Sequence, residues 1–307
     1  MKTNVTCCAM ALAGIAFCSL PAGAEELWDP QLRGVNEGTV AGALPPPGVY
    51  GVLDNYFLSY QQYDNKGNQT GLKVDALIEV PVLLWSTGIK VLGADYAVAI
   101  SQPFDYTNVK QANVPALSNN AHWGTYNTIL VPGQLAWALA NDFHVKTGLT
   151  VYVDDASSSP AHPPAGHGVG SGNSYWTLQP DFAVSWLRGG WNLSVDAHYD
   201  YNFEDGKTHY TSGQEISIDY TASKTIGNWT FGIGVYQQNQ LNKDSGLGAL
   251  AKGCPASGGC MVENYGAGPL IGYQFGDINI MAEYNHNIYT RNELAGDFLN
   301  IRLMKAF

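Results

Sequence analysis

Three ionisable side chains stand at alternate positions in the stretch WNLSVDAHYDYNF (191–203): Asp196, His198 and Asp200. A carboxylate, an imidazole and a second carboxylate are parts from which a hydrolytic site can be built. Such a site needs a nucleophile and a base within hydrogen-bond reach, usually with a third group to orient the base. In an extended chain alternate residues share a face, and successive ones on that face lie about 7 Å apart. Direct bonds then require the side chains to lean together. No serine in a lipase-like motif accompanies them, and His162 and His167 lie in a Pro- and Gly-rich loop without a partner pattern. The same charged face has two other uses: selecting ions by charge, or forming an internal network of paired groups that stiffens the molecule.

Two cysteines offer a second kind of chemistry. Cys254 and Cys260 sit six positions apart in KGCPASGGCM, a Gly-, Pro- and Ser-rich stretch. Metal binding by two thiolates needs further ligands for a tetrahedral site, and no other Cys or nearby His supplies them. A disulfide in an oxidising compartment accounts for the pair, and no metal or other cofactor is expected. The remaining cysteines, Cys7, Cys8 and Cys18, belong to the leader MKTNVTCCAMALAGIAFCSLPAGA, which has one Lys, an apolar run and a small-residue cleavage site. Residues 1–24 read as a secretory signal removed after Ala24.

The elements that carry these groups are strands. In residues 191–203 the odd positions are Trp, Leu, Val, Ala, Tyr, Tyr and Phe, and every even position is polar. The same period of two recurs in FHVKTGLTVYV (143–153), EISIDYTAS (215–223), WTFGIGVY (229–236), INIMAEYNHNI (278–288) and LKVDALIEVPVL (72–83). Such alternation marks strands and leaves little room for helix. Runs of this kind number about twelve between residues 49 and 307. Ser86-Thr87-Gly88, Asn141-Asp142, Gly189-Gly190, Gly227-Asn228 and Gly276-Asp277 make tight connections at one end, in keeping with hairpin chemistry. At the other end the connections are mostly longer, among them 105–121, 155–173 and 241–263.

Short turns at one end, longer loops at the other and an even number of strands describe a transmembrane antiparallel up-and-down β-barrel of about twelve strands. Aromatic residues at strand ends, such as Trp191 with Tyr201 and Phe203, or Trp176 with Trp186, suit interfacial girdles. A secreted soluble β-domain shares the periodicity; the signal, the loop asymmetry and the C-terminal Phe307 favour the membrane. The leader takes Lys2 with it, so the mature chain is one charge more negative than the −11 of the whole. That balance speaks against a nucleic-acid partner. After the leader no apolar run is long enough for a membrane-spanning helix.

The segment GALPPPGVYGVLDNYFLSYQ (42–61), with the Gly-rich stretch before it, resembles the entry of the phenol-degradation meta-pathway family of outer-membrane proteins. The layout matches from about Gly42 to Phe307. The resemblance implies an outer-membrane β-barrel of a Gram-negative bacterium that passes small, often aromatic, hydrophobic compounds, and it supplies no residue roles. The expected organisation is a signal peptide (1–24), a periplasmic or plug-like segment (25–48) that would bring Trp28 and Arg33 into the lumen if it folds inward, and the barrel (49–307). A barrel-type hydrolase and an adhesive surface protein are the alternatives. Expected partners are outer-membrane lipid and lipopolysaccharide, a small solute, and the barrel-assembly machinery through Phe307.

With the apolar parity toward lipid, the other parity lines the lumen. That places Lys73, Asp75, Glu79, Asp95, His144, Lys146, Asp181, Asp196, His198, Asp200, Glu215, Asp219, Glu283 and Arg302 inside. An excess of acidic groups there would disfavour anions in an open aqueous lumen.

Overall fold

The computed structural model describes residues 26–111, 118–162, 170–251, 254 and 260–307. The expected signal peptide and His167 lie outside the described residues. The strands are β1 (Gly48–Tyr63), β2 (Gln69–Val91), β3 (Ala94–Ser101), β4 (Phe104–Gln111), β5 (Ser118–Thr125), β6 (Ile129–Ala138), β7 (Phe143–Tyr152), β8 (Thr177–Arg188), β9 (Trp191–Asn202), β10 (Glu215–Ile226), β11 (Trp229–Gln240), β12 (Glu263–Phe275), β13 (Ile278–Arg291) and β14 (Leu294–Ala306). All pairings are antiparallel, and β1 pairs with both β2 and β14, from Tyr50 opposite Ala306 to Gln62 opposite Leu294, so the sheet closes.

Fourteen strands make twelve staves. β3 and β4 are two lengths of one stave, interrupted at Gln102-Pro103, and both pair with β2. Proline lacks the N–H that a ladder needs. β5 and β6 are likewise interrupted at residues 126–128, β5 pairing with β4 and β6 with β3 and β7.

Two details correct the sequence reading. The hairpin after β2 does not turn at Ser86-Thr87-Gly88; β2 continues to Val91 and turns at Leu92-Gly93, where φ is 51° and 80°. Gly88, at φ 73°, sits in a register shift between Ser86 and Lys90, so its freedom serves a bulge. The stretch 105–121 is not a plain loop, because β4 and β5 occupy most of it. The lumen-facing parity of β4 is Asp105, Thr107 and Val109, all buried, and its polar members mask the strand pattern. The other tight turns stand where expected: Asn141-Asp142 has φ of 61° and 65°, and Gly189-Gly190 54° and 84°. These positive pairs match the twist of the flanking strands.

The outer surface carries an apolar belt. Leu83, Phe182, Leu193, Phe231, Ile233 and Ile271 project outward at 43–58% exposure from widely separated staves. A continuous belt of this kind is stable only in hydrocarbon. Trp85, Trp191 and Trp229 ring the short-turn rim, and Trp176, Tyr201 and Phe203 stand toward the loop end, all exposed. Beyond that end the Cys254–Cys260 disulfide packs with Tyr210, Ala249 and Val262 in a small buried cluster of its own.

Candidate functional site

The barrel is filled from within by its own N-terminal segment. At the loop end, Trp28 donates through Nε1 to Gly170 O at 2.8 Å, and Asn173 Nδ2 donates to Trp28 O at 2.7 Å. Deeper, the Asn36 amide donates to Asp219 at 2.9 Å, the Gly38 amide to Thr221 Oγ1 at 2.9 Å, and the Gly42 amide to Ser185 Oγ at 2.7 Å. At the short-turn end, Ser86 Oγ donates to Pro45 O at 2.9 Å. Residues 26–47 therefore run the full depth of the lumen before the chain enters β1. Turns within the segment pair some of its amides, such as Val35 with Leu32 O and Ala43 with Val40 O, and polar residues of the wall take up others.

Charge pairing fixes this arrangement at two levels. Arg33 binds Asp29 at 2.5 Å, Gln238 Oε1 at 2.5 Å and Leu294 O at 2.6 Å, stands 3.4 Å from Glu293, and stacks over the Tyr60 ring at 5.1 Å. Arg302 of β14 binds Asp54 at 2.7 Å and Glu283 at 3.3 Å, and also donates to the carbonyl oxygens of Val35 and Glu37. Asn285 Nδ2 donates to the Glu37 carboxylate at 2.7 Å. Room for that carboxylate exists because Gly234 has no side chain: a Cβ there would lie 2.0 Å from Glu37 Oε2.

The polar wall contains the charged trio of β9. Asp196, His198 and Asp200 of β9 all face inward and are buried. Asp196 lies 3.2 Å from His198 Nε2, and Lys146 of β7 lies 3.7 Å from Asp196 and 3.8 Å from Asp181. His198 Nε2 is also 3.0 Å from Asn36 Nδ2, and Gln179 Nε2 donates to Asp200 at 2.6 Å. Glu215 sits directly across from Asp200 in the ladder and accepts from Ser217. Asp219 contacts the segment as described, and Glu283 pairs with Arg302. His144 faces inward near the short-turn end in register with Ser185. Asp95 stands at that rim, half exposed, 2.6 Å from Lys90.

Lys73, Asp75 and Glu79 are not in the lumen, contrary to the sequence reading. In β2 it is the apolar parity, Leu72, Val74, Ala76, Ile78 and Val80, that is buried inside. The three charged residues turn outward, where Asp75 accepts from Ser59 and Lys110, each at 2.7 Å. The assumption that apolar side chains face lipid fails because this part of the lumen is itself apolar. Tyr56, Leu58 and Tyr60 of β1 pack with the β2 residues and with Trp28, Leu32 and Val35 of the inner segment. The lumen thus has one greasy wall (β1, β2 and the β3/β4 stave) and one polar wall (β7–β11, β13 and β14). Around the inner segment runs a cavity of about 770 Å³, lined by Leu58, Ile78, Val80 and Val82 of the greasy wall and also by Lys146, Asp181, His198 and Arg302 of the polar one. Asp29, Glu37, Asp54, Asp105 and Glu293 are further buried lumenal acids. Their sequence signal is weak, because each lies in a stretch where the period of two is broken or inverted.

A closed twelve-stave sheet with a lipid-facing exterior and a lumen occupied by its own chain is an outer-membrane β-barrel. Residues 60–303 match the family described as "Putative MetA-pathway of phenol degradation", and the chain belongs to that family. Its fold is similar to that of an outer membrane channel from Pseudomonas putida F1, with a TM-score of 0.72 at 12% identity over 87% of this chain and 98% of the other. The translocator domain of the autotransporter NalP from Neisseria meningitidis gives a TM-score of 0.47 at 10% identity over 87% of this chain and 91% of that one. No curated protein sequence matches the chain.

Proposed function

We propose that the protein is a passive outer-membrane conduit for small apolar compounds, aromatic ones among them. The observation that carries this reading is the cavity of about 770 Å³ around the inner segment, which runs against the apolar side chains of Leu58, Ile78, Val80 and Val82. Sites for small molecules are concave and mostly apolar, with few polar groups. An ion path would need the opposite lining along its whole length. Residues 26–47 act as the plug of this conduit; His198, Asp219 and Arg302 bond to it directly, and in the wall behind them Lys146 pairs with Asp196 and Glu283 with Arg302. His198 is engaged in that docking through Asn36, and Asp196 pairs with Lys146 and His198, which favours a conduit over a hydrolase.

The outward belt suits the acyl chains of outer-membrane lipid and lipopolysaccharide. Phe307, 79% exposed at the end of β14, suits recognition by the barrel-assembly machinery. The test is accumulation of radiolabelled toluene by a Gram-negative host whose own hydrocarbon channels are deleted. Expression of the full chain raises the initial rate; an unchanged rate with a correctly inserted barrel would refute the reading.

A further inference from the structure

The greasy wall is not uniformly greasy. Adjacent staves align inward-facing residues in rows, and one row runs Tyr56, Ile78, Asp105, Gly124 across β1, β2, β4 and β5. A second runs Val52, Val82, Ser101, Ile129 across β1, β2, β3 and β6. The polar members of the β3/β4 stave therefore lie beside the apolar strip of Ile78, Val80 and Val82, and Ser101 and Asp105 both line the cavity. Asp105 is 3% exposed, and the hydroxyl of Ser171 bonds to its carboxylate from the space that Gly124 leaves open. Its Oδ1 atom has no protein partner among the described residues, nor has Ser101 Oγ or the Tyr56 hydroxyl across the strip.

A buried acceptor without a donor is costly unless something supplies one, whereas the same acceptor met by a hydroxyl gains a charge-assisted bond. We infer that Asp105 is the specificity-determining residue of the cavity: its free oxygen accepts a hydrogen bond from the hydroxyl of a small, singly hydroxylated apolar compound whose body lies on Ile78, Val80 and Val82. A hydrocarbon of the same shape fills the strip but leaves Asp105 unmet, so the site discriminates by the missing donor. Ser101 and Tyr56 flank this anchor and widen the range of orientations in which one hydroxyl finds a partner.

This inference rests on the conduit reading, and the test separates the two. Full-length protein in nanodiscs is equilibrated with para-cresol or para-xylene, near-isosteres that differ by a hydroxyl, and binding to empty nanodiscs is subtracted. The native protein prefers para-cresol by roughly tenfold. Asp105→Leu abolishes that preference while leaving para-xylene binding in place, and Asp105→Asn, which keeps an acceptor oxygen, retains most of it. Folding of each variant is checked by its heat-dependent mobility shift on gels. Equal binding of both compounds by the native protein, or a preference that survives Asp105→Leu, overturns the role of Asp105 and leaves the conduit intact. Binding of neither compound overturns both.

Discussion

Arg302, five residues from the C-terminus, donates through Nη1 to the carbonyl oxygen of Glu37 at 2.9 Å, joining the last strand to the segment that precedes the first. The same guanidinium neutralises Asp54 and Glu283, both buried. Removing one partner of a buried ionic group costs about 3–5 kcal/mol, because the charges left behind are uncompensated. Arg302→Met therefore lowers the unfolding temperature of the barrel in detergent and exposes residues 26–47 to protease. Arg302→Lys recovers part of the loss, since one ammonium cannot reproduce the planar set of contacts.

Gly234 tests the fit of the inner segment without removing a charged side chain. A side chain there meets Glu37, whose Oε2 would lie 2.0 Å from a Cβ. Gly234→Val keeps the β11 ladder intact, because valine suits strands, but it displaces the segment. Limited proteolysis is expected to cut near Glu37 in the variant at protease concentrations that leave the native protein whole; equal resistance would show that the segment has room to spare.

The inverted parity of β2 gives a paired prediction on neighbouring residues. Val80 faces the cavity and Glu79 faces outward. Val80→Asp places an unpaired charge in an apolar wall, at a cost of several kcal/mol, and abolishes toluene accumulation. Glu79→Gln leaves accumulation unchanged. The reverse pattern would mean that the register of this strand is the one the sequence suggested.

The reason that register was misread is physical. Alternation says which residues share a face but not which solvent each face meets. For β9, β10, β11 and β13 the lumen is polar, and Ile218, Phe231 and Ile280 point to lipid as the rule for barrels requires. In β2 the apolar parity meets an apolar interior, and the presence of Trp28, Leu32 and Val35 inside explains why Leu72 to Val80 turn inward while Lys73, Asp75 and Glu79 turn out. Those three residues lie in a stretch with no period, so nothing in β2 itself signals its partner. Strand number, turn positions at Asn141, Gly189, Gly227 and Gly276, and the Cys254–Cys260 pairing follow from local chemistry and were legible. Asp105 was not, because its row is completed by Tyr56, two strands away, and by Gly124 on the neighbouring strand, both far from it in sequence.

Outside the membrane, the β9–β10 loop has a titratable centre. Burial works against the Asp205 carboxylate, but the hydroxyl of Ser174 and the amides of Lys207 and Thr208 outweigh it and hold its pKa below the ordinary value. A depressed carboxyl pKa contributes stability that is present above the unfolded value, about 3.8, and lost as pH falls through the lower folded one. The loop is expected to keep slow amide exchange at Lys207 and Thr208 down to about pH 4 and to lose it in stronger acid. Asp205→Asn should give fast exchange at neutral pH as well.

The central claim is that residues 26–47 close the lumen to ions while leaving an apolar passage along one wall. Conductance of the purified protein in planar bilayers, with and without a deletion of residues 26–44, tests it most directly. The full chain is predicted to insert without steady current, and the deletion to give stepwise openings that favour potassium over chloride, as the acidic polar wall requires. A steady conductance in the full chain that the deletion does not change would contradict the account.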